Sequence, residues 1–176
     1  MTNSGGDAGD PGAVLAPIAI VAGHGDFAAG LISAVAQISG RGERLLAVSN
    51  REFGAGELEE VLRAASEAHP IRVLFTDLPG GSCTMAARRL LRARPDLALV
   101  TGANLATVLD YVLGAEEAGS GTVAAGVEHA VEHAVEKGRL ALAAVFPPTA
   151  PAAPATGAPA TGAAARPPAL EVGGAG

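Results

Sequence analysis

The residue best placed for chemistry is His24, in the segment GHGDF at 23–27. It directly follows the apolar run IAIVA at 18–22 and precedes FAAGLISAVAQIS, whose apolar residues recur at helical spacing. A strand that hands over to a helix through glycine leaves the first N–H groups and the positive dipole end of that helix facing the turn. An anion held beside His24 is therefore stabilised, and Gly23 and Gly25 leave room for a large group to approach the backbone. These are the surroundings needed by a neutral imidazole that accepts a phosphoryl group. Such an imidazole also needs its other nitrogen protonated and oriented, usually by a carboxylate. Asp77, in TDLPGGS at 76–82, is the candidate; the plainer role for it is a turn or N-cap aspartate. Gly80, Gly81 and Ser82 then read as a second anion cradle, with Ser82 capping the next helix and offering its hydroxyl.

Other patterns compete for attention. GHGDFA fits G-x-G-x-x-A, the dinucleotide fingerprint, but that fold needs an acidic residue about 20 residues on. The chain has Asn50 and Arg51 there, so only a 2′-phosphate (NADP-type) version remains. HAVEH at 129–133 matches H-x-x-E-H, and its histidines share one helical face. Yet VEHAVEHAVEK is a near-repeat whose valines and alanines form a buried stripe, which makes the histidines and glutamates a solvated one. His69 reads as a dipole partner at a helix end. Arg88, Arg89, Arg92 and Arg94 read as a solvated helix face or a small patch for an acidic partner. Cys83, at a helix start beside the cradle, is either a reactive thiol or a small packing residue. No residue pattern calls for a metal or a cofactor.

These side chains need a scaffold, and the rest of the chain describes one. Strands are predicted at 18–22, 44–50, 71–78 and 97–103, and helices at 27–39, 56–68, from Cys83 to Arg94, from Asn104, and over about 121–137. LALAAVF at 140–146 reads as a last strand. Strand and helix alternate with crossovers long enough for parallel pairing, which defines an α/β fold with an open, mainly parallel sheet and helices on both faces. In such sheets ligands bind beyond the carboxyl ends of the strands. GHGDF, TDLPGGS and TGANL all fall at such ends.

The ends and the bulk composition bound the function. Residues 1–16 and the Ala/Pro/Gly-rich stretch 147–176 cannot bury enough apolar surface to offset ordering entropy, and both are expected to be disordered. That leaves one domain, 17–146, of about 130 residues. The net charge is −6 over 176 residues, and with no basic stripe this argues against nucleic acid. A single cysteine forms no internal disulfide, which suits a reducing compartment. No secretory leader and no membrane-length apolar run is visible, so a soluble cytoplasmic protein is expected.

Together the motifs resemble the IIA component of the mannose-type branch of the bacterial phosphoenolpyruvate-dependent sugar phosphotransferase system. The resemblance rests on the strand–GHG–DFA–GL segment at 18–31, FTDLPGGS with its helix at 75–91, and VTGANLATVLDYVL at 100–113. The wording of TDLPGGS and TGANL is closest to members serving N-acetylgalactosamine or galactosamine. The resemblance implies a phosphotransferase with a phosphohistidine intermediate. His24 would take the phosphoryl group from HPr and pass it to a IIB component, which serves membrane IIC and IID components. It implies that Asp77 orients the imidazole and that Ser82 contacts the phosphoryl group, next to Gly25 and Gly81, which the glycine turns themselves mark as phosphate-binding. It also implies a homodimer in which a C-terminal strand, here LALAAVF, crosses to the partner's sheet. Where the family usually has proline after GG[ST], this chain has Cys83. A regulatory phosphoprotein using the same His24 chemistry without transport is the alternative reading.

Overall fold

The computed structural model describes residues 16–117 and 123–144. The expected disordered ends therefore lie outside the described residues, except for Ala16, whose carbonyl oxygen accepts from Arg44 Nη1 at 2.8 Å. Four short strands alternate with helices: β1 (Ala19–Gly23), α1 (Phe27–Ser39), β2 (Leu45–Ser49), α2 (Ala55–Ala68), β3 (Val73–Thr76), α3 (Ser82–Ala93), β4 (Ala98–Thr101), α4 (Leu105–Glu117) and α5 (Val123–Leu140). A short 3-10 turn at Gly42–Arg44 leads into β2. The four strands pair in parallel, in the order β2-β1-β3-β4.

The period-two alternation of each strand divides the core into two layers. Ala19 and Val21 of β1, Val73 and Phe75 of β3, and Val100 of β4 face α1, α4 and α5, meeting Val35, Val108, Val112 and Ala134. Phe75 meets Tyr111 edge to face, with ring centroids 5.4 Å apart. Ile20 and Ala22 of β1 and Leu74 of β3 face the opposite way, onto Leu58 and Leu62 of α2 and Cys83, Ala86, Ala87 and Leu90 of α3. Both central strands are buried on both faces, which is why IAIVA and VLF read as unbroken apolar runs rather than as alternating ones. With so few aromatic residues, the layers are filled almost wholly by Ala, Val, Leu and Ile.

The end of the chain differs from the sequence expectation. Leu140 closes α5, Ala141 lies in a turn and residues 142–144 carry no strand; 145 and 146 lie outside the described residues. Gly138, just past the predicted end of the last helix at about 137, lies within α5. A side chain there would strike Thr107 of α4, since an added Cβ would overlap Thr107 Oγ1. Glycine is thus what lets α5 lie close to α4, and helix propensity gives way to packing. Leu140 and Leu142 are exposed at this end.

Candidate functional site

The sheet order places the chemistry. From β1 the chain first moves out to β2, then returns across β1 to reach β3, so the connections reverse between β1 and β3. In an open α/β sheet this reversal leaves a crevice beyond the strands' carboxyl ends. GHGDF leaves β1 and TDLPGG leaves β3 at that point. Ala22 and Thr76 are register partners, and the next rung is made by the Asp77 N–H donating to Ala22 O at 3.3 Å.

Asp77 Oδ2 accepts two hydrogen bonds from one residue, from the His24 backbone N–H at 2.8 Å and from His24 Nδ1 at 2.7 Å. The carboxylate is only 10% exposed, whereas the imidazole is 48% exposed. Burial pushes the Asp77 carboxyl up, but the backbone bond from His24, the ring bond and the charge interaction with His24 outweigh it, holding the carboxyl below its ordinary value. An ionised carboxylate only accepts, so Nδ1 carries a ring proton, and in the neutral ring the lone pair is therefore on Nε2. The result is an oriented imidazole with one bare, accessible nitrogen.

Gly25 and Gly81 shape the space around it. Gly25 has φ +57°, a left-handed conformation in which a side chain is strained. Gly81 approaches the imidazole so closely that a Cβ there would lie 3.0 Å from His24 Cε1. Gly81 is also the N-cap of α3 and makes no side-chain cap. This corrects the expectation that Ser82 caps the helix. Ser82 is the first helical residue, and its hydroxyl instead accepts a hydrogen bond from Asn50 Nδ2 at 3.1 Å. The free N–H groups of the first turn of α3 start one residue from the imidazole edge.

Sequence reasoning missed three supporting features. Thr76 and Thr84 are buried, and their hydroxyls bond to each other while Thr84 donates to Leu78 O, so Thr76 must donate to Thr84. The pair ties the end of β3, the loop and α3 into one unit. Arg51 forms a bidentate pair with Asp26, at 2.9 and 3.1 Å, beside Gly25. Asn50 is the third, and its only sequence signal is its place at the end of a strand, where a dinucleotide motif would have an acidic residue.

The other singled-out residues fall away from this crevice or serve packing. In TGANL, Asn104 Oδ1 accepts from the Thr107 N–H at 3.0 Å and Asn104 Nδ2 donates to Gly138 O at 3.2 Å, so this segment caps α4 and clamps α5. Cys83 is fully buried; burial first, and then the Asp77 charge, push its thiol up, against a bond from Ser82, which makes it a packing residue. His129 and His133 are exposed, and His133 Nδ1 pairs with Asp110 Oδ2 of α4 at 2.7 Å. Among the described residues no three His, Cys, Asp or Glu side chains gather as a metal site. His69 is the C-cap of α2. Arg89 pairs with Glu59 and Arg94 with Asp96, each at 2.8 Å, while Arg88 and Arg92 are exposed.

Residues 18–128 match the EIIA-man family model, described as PTS system fructose IIA component, and the chain belongs to that family. Its members are phosphotransferase components of sugar transport. Similar solved structures include the mannose/sorbose specific IIA subunit of the phosphotransferase system from Enterococcus faecalis, with 23% identity and TM-score 0.58, covering 78% of this chain and all of that one. A Klebsiella pneumoniae protein described as a phosphoenolpyruvate-dependent sugar phosphotransferase system permease has 22% identity and TM-score 0.60, covering 75% of this chain and 93% of that one. The phosphotransferase system component EIIA from Streptococcus agalactiae has 20% identity and TM-score 0.58, covering 69% and 93%. At these identities the likenesses establish the fold, and the N-acetylgalactosamine wording has no counterpart in their descriptions. No curated protein matches the sequence. Among the described residues no helix is long and apolar enough to cross a membrane.

Proposed function

We propose that this chain is a phosphocarrier that accepts a phosphoryl group on His24 Nε2 from HPr and passes it to a IIB component for sugar uptake through IIC and IID. The observation that carries the reading is the 2.7 Å bond between His24 Nδ1 and Asp77 Oδ2, which leaves Nε2 as the bare nitrogen at the topological crevice. In the forward step the Nε2 lone pair forms the new N–P bond as the donor's bond to phosphorus breaks. The ring proton stays on Nδ1, and the imidazole becomes cationic against the Asp77 carboxylate. The second step reverses these roles: the N–P bond to His24 breaks as the acceptor's nucleophile attacks phosphorus, and the ring returns to neutral.

Little covalent chemistry is asked of the protein in such a transfer, and positioning plus electrostatics supply the rate. Asp77 fixes the tautomer and stabilises the ring cation. Gly25 and Gly81 keep the approach clear, and Ser82 with the first turn of α3 binds the phosphoryl oxygens. In this reading residues 17–146 carry the function in the cytoplasm, as a homodimer in which 140–146, helical only at Leu140 among its described residues, extends to pair with the partner's sheet. The exposed Leu140 and Leu142, and an outer edge of β4 that pairs with no strand among the described residues, support that pairing.

The direct test incubates the protein with phosphoenolpyruvate, enzyme I and HPr and follows intact mass. One added phosphoryl group, acid-labile and absent in His24→Ala, is the expected result. Label on His129 or His133 would overturn the assignment.

A further inference from the structure

The geometry points to Asn50 as a positioning residue that aims the Ser82 hydroxyl at the phosphoryl group; this rests on the phosphocarrier reading above. Asn50 is the first residue beyond β2, and its backbone N–H donates to Gly23 O at 3.1 Å, which fixes it to the strand end that carries His24. Its side chain reaches Ser82 Oγ at 3.1 Å. The bond therefore joins the loops that leave β2 and β3, the two strands flanking β1.

A serine hydroxyl has one proton and two lone pairs. With the Asn50 amide donating to one lone pair, the proton cannot point at Asn50. That leaves the proton able to turn toward a phosphoryl oxygen. Ser82 is exposed, and the Asn50 amide ties its oxygen to the strand end that carries His24. The amide itself brings a donor, and no formal charge, to a place where negative charge arrives. Asn50 thus acts through Ser82, not on the reacting atoms.

The test is a double-mutant cycle on the full chain, reading the second-order rate of phosphoryl acceptance from phosphorylated HPr and the lifetime of the phosphorylated protein. Asn50→Ala should slow acceptance about fivefold, the worth of one neutral hydrogen bond. Ser82→Ala should slow it at least as much, and the double variant no more than Ser82→Ala alone, because both remove the same donor. Asn50→Asp keeps the shape but replaces the donor with an anion that captures the Ser82 proton, so it should be slower than Asn50→Ala. A merely structural role predicts the reverse order, with the isosteric change the milder. Additive penalties, or Asn50→Asp milder than Asn50→Ala, overturn the inference about Asn50 alone. A wild-type protein that gains no phosphoryl group overturns the phosphocarrier reading, and this inference with it. Should Asn50→Ala melt early, the Asn50→Asp comparison, with shape preserved, decides by itself.

Discussion

Replacing Asp77 by Asn tests the site most sharply, because it changes one atom and keeps the volume. Oδ2 accepts both His24 bonds, at 2.7 and 2.8 Å, while Oδ1 is buried without a hydrogen-bond partner. The asparagine has one acceptor oxygen. If that oxygen takes the place of Oδ2, both bonds survive as neutral ones, and the amide NH2 enters the position of Oδ1 with no acceptor to meet it. If the amide is reversed, its N–H groups oppose the two His24 donors and drive the ring to the other tautomer, with Nε2 protonated and unable to attack. The first orientation should win. Its cost is about 1 kcal/mol for each bond that loses its charge, plus about 1 kcal/mol for the buried amide, the low end because half of the imidazole is in water. Transfer loses more than stability. A ring cation about 4 Å from the carboxylate is worth about 2–4 kcal/mol at an effective dielectric of about 20–40. That converts to a rate about 10²-fold lower. Rapid-quench measurement of acceptance from phosphorylated HPr, with a thermal melt of the same sample, checks both figures. A rate within threefold of wild type in a folded variant would refute the argument and reduce Asp77 to a turn residue.

Four further outcomes are expected. The Asp77 carboxyl is held below its ordinary value of 3.8, so its stabilisation is complete above the unfolded-state value and is lost as pH falls through the folded one. Melts between about pH 2 and 7 should show the wild-type advantage over Asp77→Asn shrinking below about pH 4, and a gap constant over that range would contradict the bonding described. Gly81→Ala should push the imidazole by a few tenths of an ångström and slow acceptance about fivefold with the melting temperature nearly unchanged, since the new Cβ would lie 3.0 Å from His24 Cε1. Gly138→Ala should instead lower stability by about 2–3 kcal/mol by forcing α5 off Thr107, with the phosphorylation site intact by intact mass. Deleting 140–176 should convert a homodimer into monomers or aggregates in sedimentation, whereas a full-length monomer at micromolar concentration would exclude strand exchange.

The alternation of strands and helices was legible because each period is carried by unambiguous residues. FAAGLISAVAQIS gives α1 its bounds, and the two-sided burial of IAIVA follows from its β-branched residues. Strand order was not legible, since nothing local in LLAVS or ALVT says which neighbour it takes; the order comes from which helix each crossover lays on which face. The pairing of His24 with Asp77 could be named as a candidate because both close strands at glycine turns. The 3.1 Å link from Asn50 to Ser82 could not, because it joins loops whose proximity exists only once β2, β1 and β3 are side by side. Gly138 misled for the opposite reason: its meaning depends on Thr107, a residue on another helix.

The bond between His24 and Asp77 spans 53 residues of sequence, and this gives the site a place in time during synthesis. A ribosome-bound chain that has released β1, α1 and β2 already exposes the histidine, but its carboxylate is still unmade or inside the exit tunnel. Closing so long a loop is slow relative to local helix formation, and here it requires β3 to dock on the far side of β1. Until then the imidazole has neither its tautomer nor its anion cradle, and a nascent chain is a poor substrate for any phosphoryl donor. In the phosphocarrier reading proposed above, competence for phosphorylation then arrives only with the third strand, and a half-made chain competes poorly with finished ones for phosphoryl groups.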